Sequence, residues 1–244
     1  MSVLHAIILS LLQGAFELFP VSSLGHTVIV PDLLQWPEKR SNPSFLAFIV
    51  ALHLGTATAL LIFFWRDWLR IIAAMLASIQ RRKLSDDPDE HLGWLIVAGS
   101  IPAGILGLLF KDALTDLFDK GWLAAMFLVL NGFVMLIGEA LRRGMRRRIE
   151  LPALSLNRGV GIGAAQALAL LPGFSRSGTS MVGGLLAGLH HIDAARLSFM
   201  LATPLILAAG VLAIPDLFAP EANIGPGLAA MGYVISGVTA YLAV

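Results

Sequence analysis

Residues 13–26 read Q-G-A-F-E-L-F-P-V-S-S-L-G-H. They set Glu17, Ser22, Ser23 and His26 inside an apolar stretch, with Pro20 and Gly25 placed to break any helix between them. An ionisable side chain left in lipid costs several kcal/mol, so one at this depth marks a functional site. Residues 171–180 read L-P-G-F-S-R-S-G-T-S and add Arg176. Phosphate chemistry needs a cation for the oxygens, a proton shuttle, and a nucleophile or an activated water. Arg176 offers a planar fork that binds phosphate bidentately. Ser175, Ser177, Gly178 and Ser180 let backbone N–H groups approach an anion, and a half-helix starting near Ser177 would point its positive end there. His26 is an acid or base near neutral pH. Glu17 can orient His26, activate a water or hold a divalent cation. Ser23 can attack phosphorus or bind phosphate, and Gln13 and Ser22 can hydrogen-bond it. The two stretches are expected to meet in mid-membrane as one phosphate-handling site.

The elements that must position these groups are helices in a bilayer. The chain is 57% hydrophobic and 14% charged, whereas soluble domains run to about 25% charged. Five stretches are long and apolar enough to span: 45–65, 92–110, 122–141, 197–214 and 225–244. Residues 3–34 are interrupted at Pro20 and Gly25, and 159–189 at Pro172, Gly173 and Gly178. Each half is too short to cross, which predicts two re-entrant helix hairpins, backbone that survives at depth only inside protein or a wet cavity. Residues 65–83 read as an amphipathic interfacial helix with Trp65 and Trp68 at headgroup level. Residues 85–90 form an acidic loop.

Basic residues follow Trp65 and Leu141, so both of those loops are expected to be cytoplasmic. The first hairpin then enters from the outer side and the second from the inner side. Leu46 to Ala51 pairs with Leu197 to Ala202, and Gln13 to Ser23 pairs loosely with Gln166 to Ser175. The fold class is therefore all-α: one polytopic membrane domain over 1–244, with inverted-topology repeats at about 1–111 and about 121–244. There is no cysteine, hence no thiolate chemistry. No cleavable signal is evident in residues 1–12, and no basic cluster carries the aromatic interleaving of a nucleic-acid site.

Plainer roles compete at several positions. Ser22 fits a backbone-bonded helix serine as well as a ligand. His53 fits a satisfied interior residue, and Arg176 could form a structural salt bridge to Glu17. Glu139 should pair with Arg142 or Arg143 at helical spacing. His190, His191 and Asp193 read as a solvated loop. The arginine run 142–148, with Arg146 and Arg147, reads as a topology determinant. Gly104, Gly107, Gly183 and Gly184 read as helix packing.

These residues resemble the undecaprenyl-diphosphate phosphatase family, membrane enzymes once known as bacitracin-resistance proteins. The family's first signature, E-G-x-x-E-F-x-P-V-S-S-T-G-H, is followed closely by 13–26, and its second, P-G-x-S-R-S-G, by 172–178. The likeness extends to F-W-R at 64–66 and I-P-A-G-I-L-G-L-L-F at 101–110. The resemblance implies a multi-pass enzyme of the bacterial inner membrane that removes one phosphate from undecaprenyl diphosphate. The product is the lipid carrier for peptidoglycan and other envelope polymers. It places the family's second glutamate on Glu17, its serine on Ser23, its histidine on His26 and its arginine on Arg176. It also implies stimulation by a divalent cation, magnesium or calcium, with Glu17 as the candidate ligand, and no organic cofactor. The partner is a polyprenyl diphosphate lipid among membrane lipids; a homodimer stays open. Three departures stand out. Gln13 replaces a glutamate, so it can hydrogen-bond but cannot neutralise a cation. Leu24 replaces a threonine. The chain stops at Val244, where relatives are expected to carry roughly one more span, making this branch minimal or the sequence incomplete. The rival readings are a non-catalytic carrier of polyprenyl phosphates and a broader lipid pyrophosphatase. A lipid phosphatase of the soluble acid-phosphatase type is disfavoured, because no histidine follows Arg176 until His190.

Overall fold

The structure, a computed structural model, describes residues 1–38, 42–110, 113–114, 117, 119–144, 148–213 and 224–244. The helices are α1 Val3–Phe16, α2 Ser23–Leu33, α3 Pro43–Phe63, α4 Trp65–Arg81, α5 Pro88–Leu109, α6 Gly121–Arg143, α7 Leu156–Ala165, α8 Arg176–Leu186, α9 His191–Leu212 and α10 Pro226–Ala243. A 3-10 turn, Gln166–Leu170, prolongs α7. Five helices, α3, α5, α6, α9 and α10, are long and apolar enough to cross a membrane, matching the five expected stretches in order. Lys111 and much of the loop after it, Arg146, Arg147 and Ile214 lie outside the described residues.

Helix starts follow the capping chemistry. Asn42 accepts from the Ser44 N–H at 2.9 Å, with Pro43 at the first helical position. Asp87 accepts from the Asp89 N–H at 2.9 Å ahead of Pro88. The expected acidic loop is thus partly a helix start: Asp89 and Glu90 occupy the first turn of α5, where carboxylates suit the positive end of the dipole. Glu90 closes what loop remains, taking the Ser85 N–H at 2.8 Å and Arg81 Nη2 at 2.5 Å. On α4, Leu69, Ile72, Leu76 and Ile79 are exposed while Ile71 and Ser78 are buried, as an interfacial helix requires. Trp65 is exposed with them, but Trp68 turns inward onto the cluster of Ile71, Leu92, Leu95 and Leu197. Glu139 pairs with Arg142 at 3.5 Å and Arg143 at 3.2 Å, and it reaches His191 on α9 at 3.1 Å.

Helix α10 lies against α1 and α3, α7 against α5, α8 against α9 and α6, and α2 against α1 and α6. The tight crossings sit on glycines other than those expected. A Cβ on Gly163 would lie 1.9 Å from the Gly99 carbonyl oxygen, and one on Gly55 would lie 2.2 Å from that of Tyr233. Gly104, Gly107 and Gly183 have ordinary clearance, with nearest neighbours at 4.0, 3.4 and 3.4 Å; of that group Gly184 is close, 3.0 Å from Ala194. Spacing along one helix shows which residues share a face, but the neighbouring backbone decides which of them is crowded. Gly163→Val is expected to destabilise the protein by about 2–3 kcal/mol, roughly 5–10 °C in Tm. Gly161→Ala on the same helix, which meets open space, should leave a detergent-solubilised thermal melt unchanged or raised.

Candidate active site

Two helix breaks face each other, and the same local chemistry builds both. Ser22 is extended, and its Oγ accepts from the Gly25 N–H at 2.9 Å, so α2 starts at Ser23. Ser175 is extended, and its Oγ accepts from the Gly178 N–H at 3.0 Å, so α8 starts at Arg176. Ser22 and Ser175, expected as substrate ligands, thus cap helices as well as line the site. Gly25 and Gly178 do not break helices, as the sequence suggested; each lies inside the first turn of its own. Their lack of a side chain serves close approach. A Cβ on Gly25 would sit 2.9 Å from Gly173 Cα, and one on Gly178 would sit 3.1 Å from the Pro20 carbonyl oxygen. Gly173 itself has φ +113°, the left-handed region in which glycine is at ease, and there the chain reverses ahead of α8.

Side chains then tie one break to the other. Ser177 Oγ donates to the Phe19 carbonyl at 2.8 Å. Asn131, in the middle of α6 and 3% exposed, donates from Nδ2 to the Pro20 carbonyl at 3.1 Å and accepts the Ser175 N–H on Oδ1 at 3.0 Å. Ser180 Oγ meets Ser198 Oγ at 2.7 Å, joining α8 to α9.

Glu17 is the hub. Its Oε2 accepts from Ser23 Oγ at 2.6 Å and from Gln13 Nε2 at 2.8 Å. Its Oε1 takes Nη2 of Arg176, an ion pair between residues 159 positions apart. His53 Nε2 lies 3.8 Å from Oε2. His53 Nδ1 lies 2.8 Å from the Ile49 carbonyl, which can only accept, so Nδ1 carries a proton and Nε2 faces the carboxylate. His26 was expected beside Glu17. Instead its Nδ1 donates to the Ser22 carbonyl at 2.6 Å and its ring packs on Phe16 at 4.5 Å. A histidine one turn into a helix reaches back to the carbonyl four residues before it, and that sets its direction.

A cavity of about 110 Å³ opens on this cluster. Its polar wall is Glu17, Ser22, Ser23, His53, Gln166, Ser175 and Arg176; the other wall is apolar, with Phe16, Leu24, Leu170, Phe174, Leu205 and Ile206. Such a lining fits the polar end of an amphipathic ligand. Gln13, His26, Ser177, Gly178 and Ser180 are not in the described lining; Ser177 and Ser180 are engaged with protein partners instead. A larger hollow of about 460 Å³ lies near His91 and His190, away from both signature stretches; there His91 is bonded to the Leu154 carbonyl at 2.7 Å and Arg196 to Asp67 at 2.9 Å. Among the described residues no three histidine or carboxylate side chains converge to hold a metal. Glu17, the cavity's one carboxylate in the described lining, has both oxygens engaged. That donor set does not fit a resident magnesium or calcium, which takes several oxygen ligands.

Sequence reasoning underrated His53, Asn131 and Gln166. Each is a lone polar residue in an apolar helix, which is itself a signal, but nothing local shows where it points. Asn131→Ala leaves the Pro20 carbonyl and the Ser175 N–H without their clamp. It is expected to cost about 2–4 kcal/mol; a thermal melt in detergent equal to wild type would show that the clamp contributes nothing.

Comparison with known proteins adds a family model and three relatives. The family model described as "Bacitracin resistance protein BacA" matches residues 6–244. The chain is 48% identical to an undecaprenyl-diphosphatase of Mycolicibacterium paratuberculosis, covering 100% of this chain and 88% of that one. It is 47% identical to undecaprenyl-diphosphatase 2 of Chromobacterium violaceum (99% and 86% covered) and 47% identical to an undecaprenyl-diphosphatase of Acidiphilium cryptum (99% and 86%).

Proposed function

This chain belongs to the bacitracin resistance protein BacA family, and on that premise we propose that it hydrolyses undecaprenyl diphosphate to undecaprenyl phosphate and inorganic phosphate. The observation that carries the reading is the serine–carboxylate–guanidinium line, Ser23 to Glu17 to Arg176, assembled from both signatures at one cavity. A nucleophile bonded to its base and a cation for the phosphoryl oxygens are the parts such a reaction needs.

Arg176 Nη1 is buried and has no protein partner among the described residues, so it is available to a phosphoryl oxygen. The N-termini of α2 and α8 add dipoles of the right sign. As phosphate draws the guanidinium away from Glu17, the carboxylate becomes a stronger base. Ser23 Oγ attacks the terminal phosphorus and passes its proton to Glu17 Oε2. The anhydride P–O bond breaks, and its electrons leave on undecaprenyl phosphate. Water then attacks the phosphoserine, Glu17 returns the proton to Ser23 Oγ, and dihydrogen phosphate departs with both of the water's protons. No step runs through a metal ion.

The prenyl tail lies along the apolar wall and outward between helices into lipid. Helices α1, α2, α7 and α8, of 14, 11, 10 and 11 residues, support two hairpins that stop inside the bilayer: at 1.5 Å per residue they reach about 15–21 Å of a roughly 30 Å core. In this reading they enter from opposite faces of the bacterial inner membrane, with the loops after Trp65 and Leu141 cytoplasmic.

Inorganic phosphate release from undecaprenyl diphosphate by purified protein in detergent tests the proposal. Wild type should be active and Gln13→Glu at least equal to it. Arg176→Lys keeps the charge but not the fork, and should lose about 10²–10³-fold in kcat. Ser23→Ala should lose at least about 10³-fold together with any trapped phosphoenzyme. A full rate in Ser23→Ala would transfer the attack to water, and a wild type that binds the lipid but frees no phosphate would mark a carrier.

A further inference from the structure

Gln166 stands where α7 tightens into its 3-10 turn, and it is 1% exposed. It lines the cavity with Glu17, Ser23, His53 and Arg176, yet neither its Oε1 nor its Nε2 has a protein partner among the described residues. A buried amide left this way is costly until a ligand or water pairs it. Gln13, its loose counterpart in the first signature stretch, spends its Nε2 on Glu17 at 2.8 Å. The stretch that follows Gln166 contributes Ala169 and Leu170 to the wall, neither of which has a polar side chain to offer.

We propose that Gln166 is a positioning residue for the hydrolytic water of the reaction above, an inference that rests on that reading of the site. An ionised phosphoryl group carries only acceptors. It satisfies Nε2, which donates two hydrogens, and leaves Oε1 unsatisfied. Water satisfies Oε1. A side chain that donates to a phosphoryl oxygen while accepting from a water fixes the distance and angle between them. Phosphoryl-transfer sites use that geometry to aim the attacking oxygen. An amide has the further merit of carrying no charge to repel phosphate. In the second half-reaction the water oxygen forms its bond to phosphorus as the P–O bond to Ser23 breaks. The electrons of that bond go to Oγ, which takes the proton held by Glu17.

Gln166→Leu separates this role from a structural one, because removing an unpaired buried amide should stabilise the fold. In detergent-solubilised protein we expect an unfolding temperature equal to or above wild type. The KM for undecaprenyl diphosphate should stay within about 3-fold and kcat should fall about 10²-fold. Phosphoserine at Ser23, labelled from radioactive terminal phosphate, should outlast that of wild type, since the first transfer survives and the second is slowed. An unchanged kcat beside an active wild type overturns this inference alone. So does a fall in unfolding temperature that tracks the lost activity, or a first transfer slowed as much as the second. A wild type that frees no phosphate overturns the phosphatase reading and this inference with it.

Discussion

The ion pair between Glu17 and Arg176 is the constraint on which the rest depends. Both groups are largely buried, and each would be expensive alone in an apolar interior. Together they are tolerable only if their backbones are brought within hydrogen-bond reach from opposite ends of the sequence. That requirement explains the clustering around them. Ser177 and Asn131 bond the first break to the second, Gly25 and Gly173 allow backbone to approach backbone, and the two capping serines set where α2 and α8 begin. A pair of this kind is weak evidence for stability in itself. In the proposed mechanism its worth lies in holding a base and a phosphate-binding cation together before substrate arrives.

The same pair also sets the resting state. With Arg176 on Oε1 and Ser23 and Gln13 on Oε2, Glu17 is fully occupied. On the proposed mechanism, a phosphoryl group that competes for the guanidinium removes one of those partners and sharpens the carboxylate at the moment a base is needed. The unsatisfied groups on the cavity wall, Nη1 of Arg176 and both ends of the Gln166 amide, are the complement of that arrangement.

Much of this was legible beforehand. The five spans are legible because 20 or so apolar residues have one stable use in a bilayer. The interruption of the other two helix pairs is legible because proline and glycine disrupt helices for local reasons. Glu17, Ser23 and Arg176 stood out because ionisable and nucleophilic groups in apolar surroundings must be accounted for. Other expectations changed. His26 turns to its own helix backbone, and His53, read as an interior residue, faces the carboxylate. Gly104 and Gly107 have room, while Gly163 and Gly55 do not.

The amino-acid sequence alone therefore determined the inventory: an all-helical chain, two interrupted helix pairs, and an acid, a serine and a guanidinium set in apolar surroundings. Those properties arise from interactions within a few residues along the chain or from the cost of placing charge in lipid. Tertiary structure alone decided the partners. Whether Glu17 meets His26 or His53, whether Asn131 clamps both turns, and whether the Gln166 amide is spent or free depend on how helices from distant parts of the chain cross. Those crossings are set by backbone contacts that no local pattern records.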